Sequence, residues 1–177
     1  MRLNFGMRHL PLCRNMGLMN LDGPDEARRV SDLIESFDAA ATPGSGPLVL
    51  VVEDSPVNQL LAVRMLERCG CRVEVACNGV EALEMLSARH YDAVLMDCAM
   101  PDMDGYTATA ELRRRESGTR RTPIIALTAQ AMEGDRERCL ESGMDDYLSK
   151  PVGFELLIET VRRWLPSELG GWSVQQL

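Results

Sequence analysis

Five polar residues stand where short apolar runs end, at positions expected to be the carboxyl ends of β-strands. They are Glu53 and Asp54, which follow the first run, and Asp97, Thr128 and Lys150, which close later ones. If the runs are parallel strands of one sheet, their carboxyl ends share the edge at which such sheets bind ligands. The spacing therefore predicts one cleft that holds three acids, a hydroxyl and an ammonium group.

The chemistry open to such a cleft is phosphoryl transfer assisted by a metal ion. Three neighbouring carboxylates repel each other unless a cation lies between them, and oxygen ligands suit a small hard cation such as Mg²⁺. Asp97 is the candidate nucleophile because it is the sole acid at the tip of its strand, and a carboxylate can form an aspartyl phosphate. Lys150 can neutralise a phosphate oxygen, and Thr128 can donate a hydrogen bond to it. Glu53 and Asp54 are better suited to holding the metal.

The elements that must position these residues alternate between β and α. Predicted strands at 48–52, 72–76, 93–96, 123–127 and 146–149 each precede a segment with helical periodicity. Ser55 and Pro56 predict the start of the first helix, and Asn78 with Glu81 resembles a capping box at the start of the second. Five β–α repeats predict an α/β fold, a doubly wound parallel sheet with helices on both faces.

The chain divides into three parts. Residues 1–46 form an N-terminal extension and linker in which 25–40 could be one short amphipathic helix, residues 47–166 hold the β–α repeats, and 167–177 are a C-terminal tail. With 177 residues and 45% hydrophobic residues, the chain can build one ordinary domain with its own core.

Charge and apolar patterning exclude several classes of protein. The net charge of -8 argues against binding of nucleic acid through a broad positively charged surface. The chain has no run of about 18 apolar residues, so no membrane span is predicted. The N-terminus lacks the apolar core of a secretory signal. Several cysteines fall inside apolar runs, where cysteine acts as a small hydrophobe. We expect a cytoplasmic protein.

Four segments resemble the motifs of receiver domains of two-component response regulators. They are residues 51–58 (VVEDSPVN), 95–105 (LMDCAMPDMDG), 123–129 (PIIALTA) and 145–151 (DDYLSKP), and they follow each other at the spacing of that family. The sequences of these motifs are most similar to those of receivers of hybrid sensor histidine kinases. The resemblance covers about 48–165 and implies a flavodoxin-like sheet with strand order 2-1-3-4-5.

The resemblance also implies a role for each site residue. Asp97 would accept a phosphoryl group from the phosphohistidine of a histidine kinase or histidine phosphotransfer protein, with Lys150 and Thr128 assisting. Mg²⁺ would be held by Glu53, Asp54, Asp97 and the main-chain carbonyl of Ala99. Thr128 and Tyr147 would form a switch pair that changes the partner-binding face, and the Lys150–Pro151 bond would be cis.

The main hypothesis is a single-domain response regulator that acts through protein contacts, without nucleic acid or membrane, as a monomer or a phosphorylation-dependent dimer. It would not be an enzyme but a phosphoacceptor domain, which would only phosphorylate itself and slowly lose the phosphate. One alternative is a receiver detached from a hybrid histidine kinase. Another is a Mg²⁺-dependent phosphatase with an aspartyl-phosphate intermediate, which is weaker because Ala99 stands where haloacid-type phosphatases carry a second acid.

Overall fold

The computed structural model describes residues 46–116, 118, 121–129 and 133–165. The predicted helix over 25–40, the linker before residue 46 and the tail at 167–177 lie outside these residues. None of the described helices has the length and apolar character that crossing a membrane requires.

Five strands alternate with five helices in the described part of the chain. In order they are β1 (Leu48–Val52), α1 (Pro56–Arg68), β2 (Arg72–Ala76), α2 (Gly79–Ala88), β3 (Ala93–Asp97), α3 (Gly105–Arg115), β4 (Ile124–Thr128), α4 (Glu133–Glu141), β5 (Asp146–Ser149) and α5 (Phe154–Trp164). The strands form one parallel sheet in the order β2-β1-β3-β4-β5. Both the fold class and the strand order are therefore confirmed. The prediction placed β4 one residue too early, at 123–127.

The sheet separates two apolar layers because successive strand residues point to opposite faces. Val49 and Val51 of β1 face the layer that includes residues of α1 and α5. Leu50 and Val52 face the layer that includes residues of α2, α3 and α4. β1, β3 and β4 are buried throughout, as expected for strands covered on both faces. The strand tips are consequently the place where polar side chains can reach solvent.

The helix starts follow the sequence signals with one difference. Ser55 is the N-cap of α1 with Pro56 at the first helical position, although the Ser55 side chain makes no capping hydrogen bond. The Asn78 side chain accepts a hydrogen bond from the Glu81 N–H at 2.9 Å. The Glu81 carboxylate accepts from the N–H of Cys77, at 2.8 Å, where a reciprocal capping box would use the N–H of Asn78. The capping-box prediction is thus correct for one of its two hydrogen bonds.

Gly105 allows α3 to begin against the tip of β3. A Cβ atom at this position would lie 2.2 Å from the main-chain oxygen of Asp97, which is far inside van der Waals contact. The Gly105 N–H donates to the Cys98 carbonyl at 3.3 Å. The close approach requires glycine, and it fixes the backbone at Asp97 and Cys98.

Candidate functional site

Lys150 joins two acids that come from different strands. Its Nζ lies 2.6 Å from Oε2 of Glu53 and 2.7 Å from Oδ2 of Asp97. Glu53 follows β1, Asp97 ends β3, and Lys150 follows β5, so three separate strand tips meet here. Distances of this kind mark charge-assisted hydrogen bonds. The convergence predicted from the sequence is present in the fold.

The two acids bound by Lys150 are buried, whereas the third acid is open to solvent. Glu53 and Asp97 expose 1% and 5% of their surface, and Asp54 is exposed. Burial raises the pKa of Asp97, and the negative charge of Glu53 raises it further, while hydrogen bonds from Lys150 and the Ala99 N–H oppose the shift. Burial lowers the pKa of Lys150, but the two carboxylates outweigh burial and raise it. The ammonium therefore stays charged and is what allows two buried carboxylates to coexist.

The three carboxylates fit one small divalent ion. One oxygen each from Glu53, Asp54 and Asp97 can be chosen so that all lie within 4.8 Å of one another. Mg²⁺ binds oxygens at about 2.1 Å, so two ligands on opposite sides of one ion lie about 4.2 Å apart. The donors are all oxygen atoms, as Mg²⁺ prefers.

Glu53 is surrounded by residues at the start of α1 that were not predicted to be part of the site. The Asn58 Nδ2 donates to Oε1 of Glu53 at 3.0 Å, and the Ser55 N–H donates to the same oxygen at 3.2 Å. The Gln59 Nε2 donates to the main-chain oxygen of Glu53 at 2.6 Å. The sequence feature that could have indicated them is the pair of amide residues, Asn58 and Gln59, five and six positions after Glu53 at the start of a predicted helix.

The other predicted site residues, Thr128 and Ala99, lie at the same strand tips as Glu53, Asp97 and Lys150. Thr128 ends β4, is buried, and accepts a hydrogen bond from the Lys150 N–H through its main-chain oxygen at 2.7 Å. The Ala99 N–H donates to Oδ1 of Asp97 at 3.2 Å. The Lys150–Pro151 bond is cis, as predicted. Thr128, Ala99 and Lys150 thus border the same strand tips.

Tyr147 lies on the sheet face opposite α1 and α5. It is half-buried on β5, packs against the core layer that includes α2 and α3, and lies beneath the guanidinium of Arg136, 5.9 Å from the ring centre. It stands two residues before Ser149, the last residue of β5, which Lys150 follows. Tyr147 therefore joins the region of the strand tips to α4, since Arg136 belongs to that helix.

Comparison with known proteins identifies the family. The family model for the response regulator receiver domain matches residues 49–162. This chain belongs to the response regulator receiver domain family. The receiver domain of the sensor histidine kinase PA1611 from Pseudomonas aeruginosa PAO1 is 49% identical, with a TM-score of 0.63, over 68% of this chain and 98% of that one. That crystal structure has a magnesium ion coordinated in its active site cleft.

Relatives among whole proteins are much longer than this receiver chain. The sensor histidine kinase GacS of Pseudomonas protegens is 40% identical over 144 residues, which are 77% of this chain and 16% of GacS. The hybrid signal transduction protein dokA of Dictyostelium discoideum is 42% identical over 123 residues, which are 70% of this chain and 7% of dokA. The resemblance to receivers of hybrid sensor kinases is confirmed. The chain spans less than a fifth of either of these relatives.

A third similar structure is a complex. The receiver domain of the response regulator Ssk1 of Saccharomyces cerevisiae, crystallised with the histidine phosphotransfer protein Ypd1, gives a TM-score of 0.64 and 26% identity. The match covers 74% of this chain and 94% of that chain. Receiver domains of this fold therefore include one that binds a phosphotransfer protein.

Proposed function

We propose that this protein is a phosphorelay switch in which Asp97 accepts a phosphoryl group from the phosphohistidine of a histidine kinase or histidine phosphotransfer protein. The receiver domain would span 47–166. The observation that carries the proposal is the bridge from Lys150 to Glu53 and Asp97, with Asp54 beside it. The ammonium, together with a cation held by the three acids, would neutralise and align a phosphoryl group, which is most of what this reaction asks of a protein.

Glu53, Asp54, Asp97 and the main-chain carbonyl of Ala99 would hold Mg²⁺. The ion, when bound, supplies positive charge to the phosphoryl oxygens. The three carboxylates support this assignment because they converge within 4.8 Å and include one exposed member through which an ion can enter. The magnesium in the cleft of the PA1611 receiver supports the choice of ion.

In the proposed step, a carboxylate oxygen of Asp97 attacks the phosphorus of the phosphohistidine. The P–N bond breaks, and its electron pair returns to the imidazole ring. Lys150 favours the ionised, nucleophilic form of Asp97 against the effect of burial. As the phosphoryl group arrives, the Lys150 ammonium leaves Glu53 and contacts a phosphoryl oxygen, and Thr128 donates its hydroxyl hydrogen to another. Self-phosphorylation by small phosphodonors and slow hydrolysis follow from the same arrangement.

The signal would leave the site through Thr128 and Tyr147. A hydroxyl drawn toward the phosphoryl group at the tip of β4 opens space beside β5, and Tyr147 turns into it. The contact of Arg136 with the Tyr147 ring supports this route because it connects the switch tyrosine with α4. The altered face would bind a downstream protein or a second copy of the chain, in the cytoplasm, where phosphohistidine donors face their receivers.

A receiver region of a hybrid histidine kinase is the second candidate for the whole protein. It is favoured by the small share of GacS and dokA that the chain spans. Flanking genes decide between the two: a neighbouring kinase gene without its own receiver favours the single-domain regulator. The phosphatase alternative requires a second acid, two residues after Asp97, that protonates the leaving group. Ala99 occupies that position and has no acidic side chain.

Acetyl phosphate with Mg²⁺ tests the proposed acceptor. Intact mass and phosphate-affinity gels should show one base-labile phosphate on the wild type and none on Asp97→Asn. Chelation of Mg²⁺ should abolish the modification, because the carboxylates then repel the donor. Labelling of Asp97→Asn to the wild-type extent would refute Asp97 as the acceptor, and labelling undiminished by chelator would refute the metal site.

A further inference from the structure

The buried carboxylate of Glu53 is held by three donors of different kinds. Its Oε2 accepts from the Lys150 ammonium at 2.6 Å. Its Oε1 accepts from the Asn58 amide at 3.0 Å and from the Ser55 N–H at 3.2 Å. A carboxylate that is 99% buried needs such partners, since an unpaired charge in this environment is costly. Both oxygens are therefore occupied while Lys150 bridges to Asp97.

Lys150 is a temporary partner for Glu53 under the proposed function. When its ammonium moves to a phosphoryl oxygen, Oε2 of Glu53 is released toward the metal, and only the donors to Oε1 remain. The Ser55 N–H is part of the backbone and its contact is the longer of the two. Asn58 then becomes the side chain that sets the direction of the Glu53 carboxylate. Because an amide is uncharged, it orients the carboxylate without competing with a cation for it.

The position of Asn58 on α1 suits this task. It is the third residue of the helix, and side chains at that position reach back over the residues that precede the helix. The following residue, Gln59, holds the main-chain oxygen of Glu53 at 2.6 Å. Consecutive amides thus hold the side chain and the backbone of the same acid. Since α1 is packed in the core through Leu60 and Val63, the amides are attached to a rigid support.

Among the described residues of α1 that line the cavity beside Glu53, Asn58 alone is polar. It lies with Glu53 and Lys150 at the wall of a cavity of about 90 Å³ that continues between α1 and α5. The other residues of α1 along this cavity are apolar: Leu61, Ala62 and Met65. Loss of the amide would leave Oε1 with the Ser55 N–H and whatever water enters the cavity.

We infer that Asn58 is a positioning residue for the metal site: its amide aims the Glu53 carboxylate at the divalent ion and thereby sets the affinity of the site. The inference rests on the proposed function, and it adds a residue outside the set of acids, lysine and threonine. A hydrogen bond from a neutral donor to a charged group contributes about 1.5–3 kcal/mol. At the lower end of that range, removal of the amide corresponds to about a tenfold loss of affinity.

The test measures Mn²⁺ affinity from the electron paramagnetic resonance signal of free Mn²⁺, which reports binding without phosphorylation. Asn58→Ala should raise the dissociation constant about tenfold. Asn58→Leu, which keeps the volume but has no donor, should do the same, so that a cavity is not mistaken for a lost hydrogen bond. In a Glu53→Ala background, Asn58→Ala should change the constant less than twofold, since the residue acts through Glu53.

Asn78→Ala is the matched control, since this asparagine caps α2 by accepting a hydrogen bond from the Glu81 N–H. It should lower stability, because α2 loses its cap, and leave Mn²⁺ affinity unchanged. Asn58 variants that bind Mn²⁺ like the wild type, or an equal loss in the Glu53→Ala background, would overturn the inference. If wild type itself neither binds Mn²⁺ nor is labelled by acetyl phosphate, the proposed function fails and the inference with it. Normal labelling of wild type beside unchanged Asn58 variants refutes only the inference.

Discussion

Replacement of Lys150 by methionine separates the structural and the chemical part of the site. Methionine retains most of the length and volume of lysine but carries no charge. Lys150 contacts Glu53 at 2.6 Å and Asp97 at 2.7 Å. Without the ammonium, two buried carboxylates face each other with no cation between them. We expect a variant that is unstable without metal, unusually responsive to Mg²⁺, and poorly phosphorylated.

The size of the effect follows from the distances. The two oxygens that Lys150 bridges are at most about 5.3 Å apart, which is the sum of its two contact distances. Like charges at about 5 Å repel by about 3 kcal/mol at an effective dielectric constant of about 20. Because the lysine side chain is 22% exposed, water relieves part of this repulsion. We expect Lys150→Met to lose about 2 kcal/mol of unfolding free energy in chelator, or about 6–10 °C in Tm for a domain of this size.

Magnesium should reverse most of that loss. The ammonium competes with a cation for Glu53 and Asp97, so its removal should tighten Mg²⁺ binding, by about tenfold. A ligand that binds only the folded state stabilises it according to its concentration over its dissociation constant. At a saturating concentration, Mg²⁺ should therefore raise the unfolding free energy of Lys150→Met by about 1.4 kcal/mol more than that of wild type. Phosphorylation by acetyl phosphate should still fall sharply, because the phosphoryl oxygen has lost its ammonium.

Urea unfolding with chelator and with Mg²⁺ provides the measurement. Lys150 is the only lysine in the chain, so labelling with [¹⁵N]lysine also gives one Nζ signal that should move when wild type binds Mg²⁺. Arg114→Met is the control, since it removes a positive charge from a side chain that is 73% exposed and should change stability by less than about 0.5 kcal/mol. Equal Mg²⁺ increments in Lys150→Met and wild type would refute the argument that the lysine competes with the ion.

Two further predictions concern Asp97 and the glycine that packs against it. Because burial raises the pKa of Asp97 in the folded state, the folded chain holds this proton more tightly than the unfolded chain, and stability falls as pH rises through the raised pKa. In chelator at pH 7, Asp97→Asn should thus be more stable than wild type. This gain in stability should vanish below about pH 4, near the ordinary pKa of aspartate. Urea unfolding at both pH values measures the gain, and a gain that persists at low pH would contradict the prediction. Gly105→Ala places a Cβ 2.2 Å from the Asp97 oxygen and should lower unfolding free energy by about 3 kcal/mol or more and slow labelling. Gly134→Ala, with open space around the new Cβ in α4, should raise stability by about 0.5–1 kcal/mol, and a similar loss for both glycine variants would show that steric contact is not the cause.

The amino-acid sequence by itself determined the order of the elements and the edge of the sheet at which the chemistry collects. Apolar runs bounded by turn residues identify strands such as β1 and β3, and alternation with helices requires a parallel sheet. In a parallel sheet all carboxyl ends lie on one edge, so Asp97 and Lys150 could be placed together although 53 residues separate them. The same periodicity explains why only strand and helix ends, as in β4, were misplaced by a residue or so.

Only the tertiary structure decided which atoms meet at that edge. The lysine could have faced Asp97 alone, yet it also contacts Glu53 across 97 residues of chain. Asn58 could have pointed to solvent from α1 but reaches back to Glu53, and the Glu81 side chain bonds the Cys77 N–H where the capping box predicted another donor. These outcomes depend on rotamers, and rotamers are settled by burial and by the need of each buried polar atom for a partner. Local patterns describe neither, because both arise only when distant elements pack together.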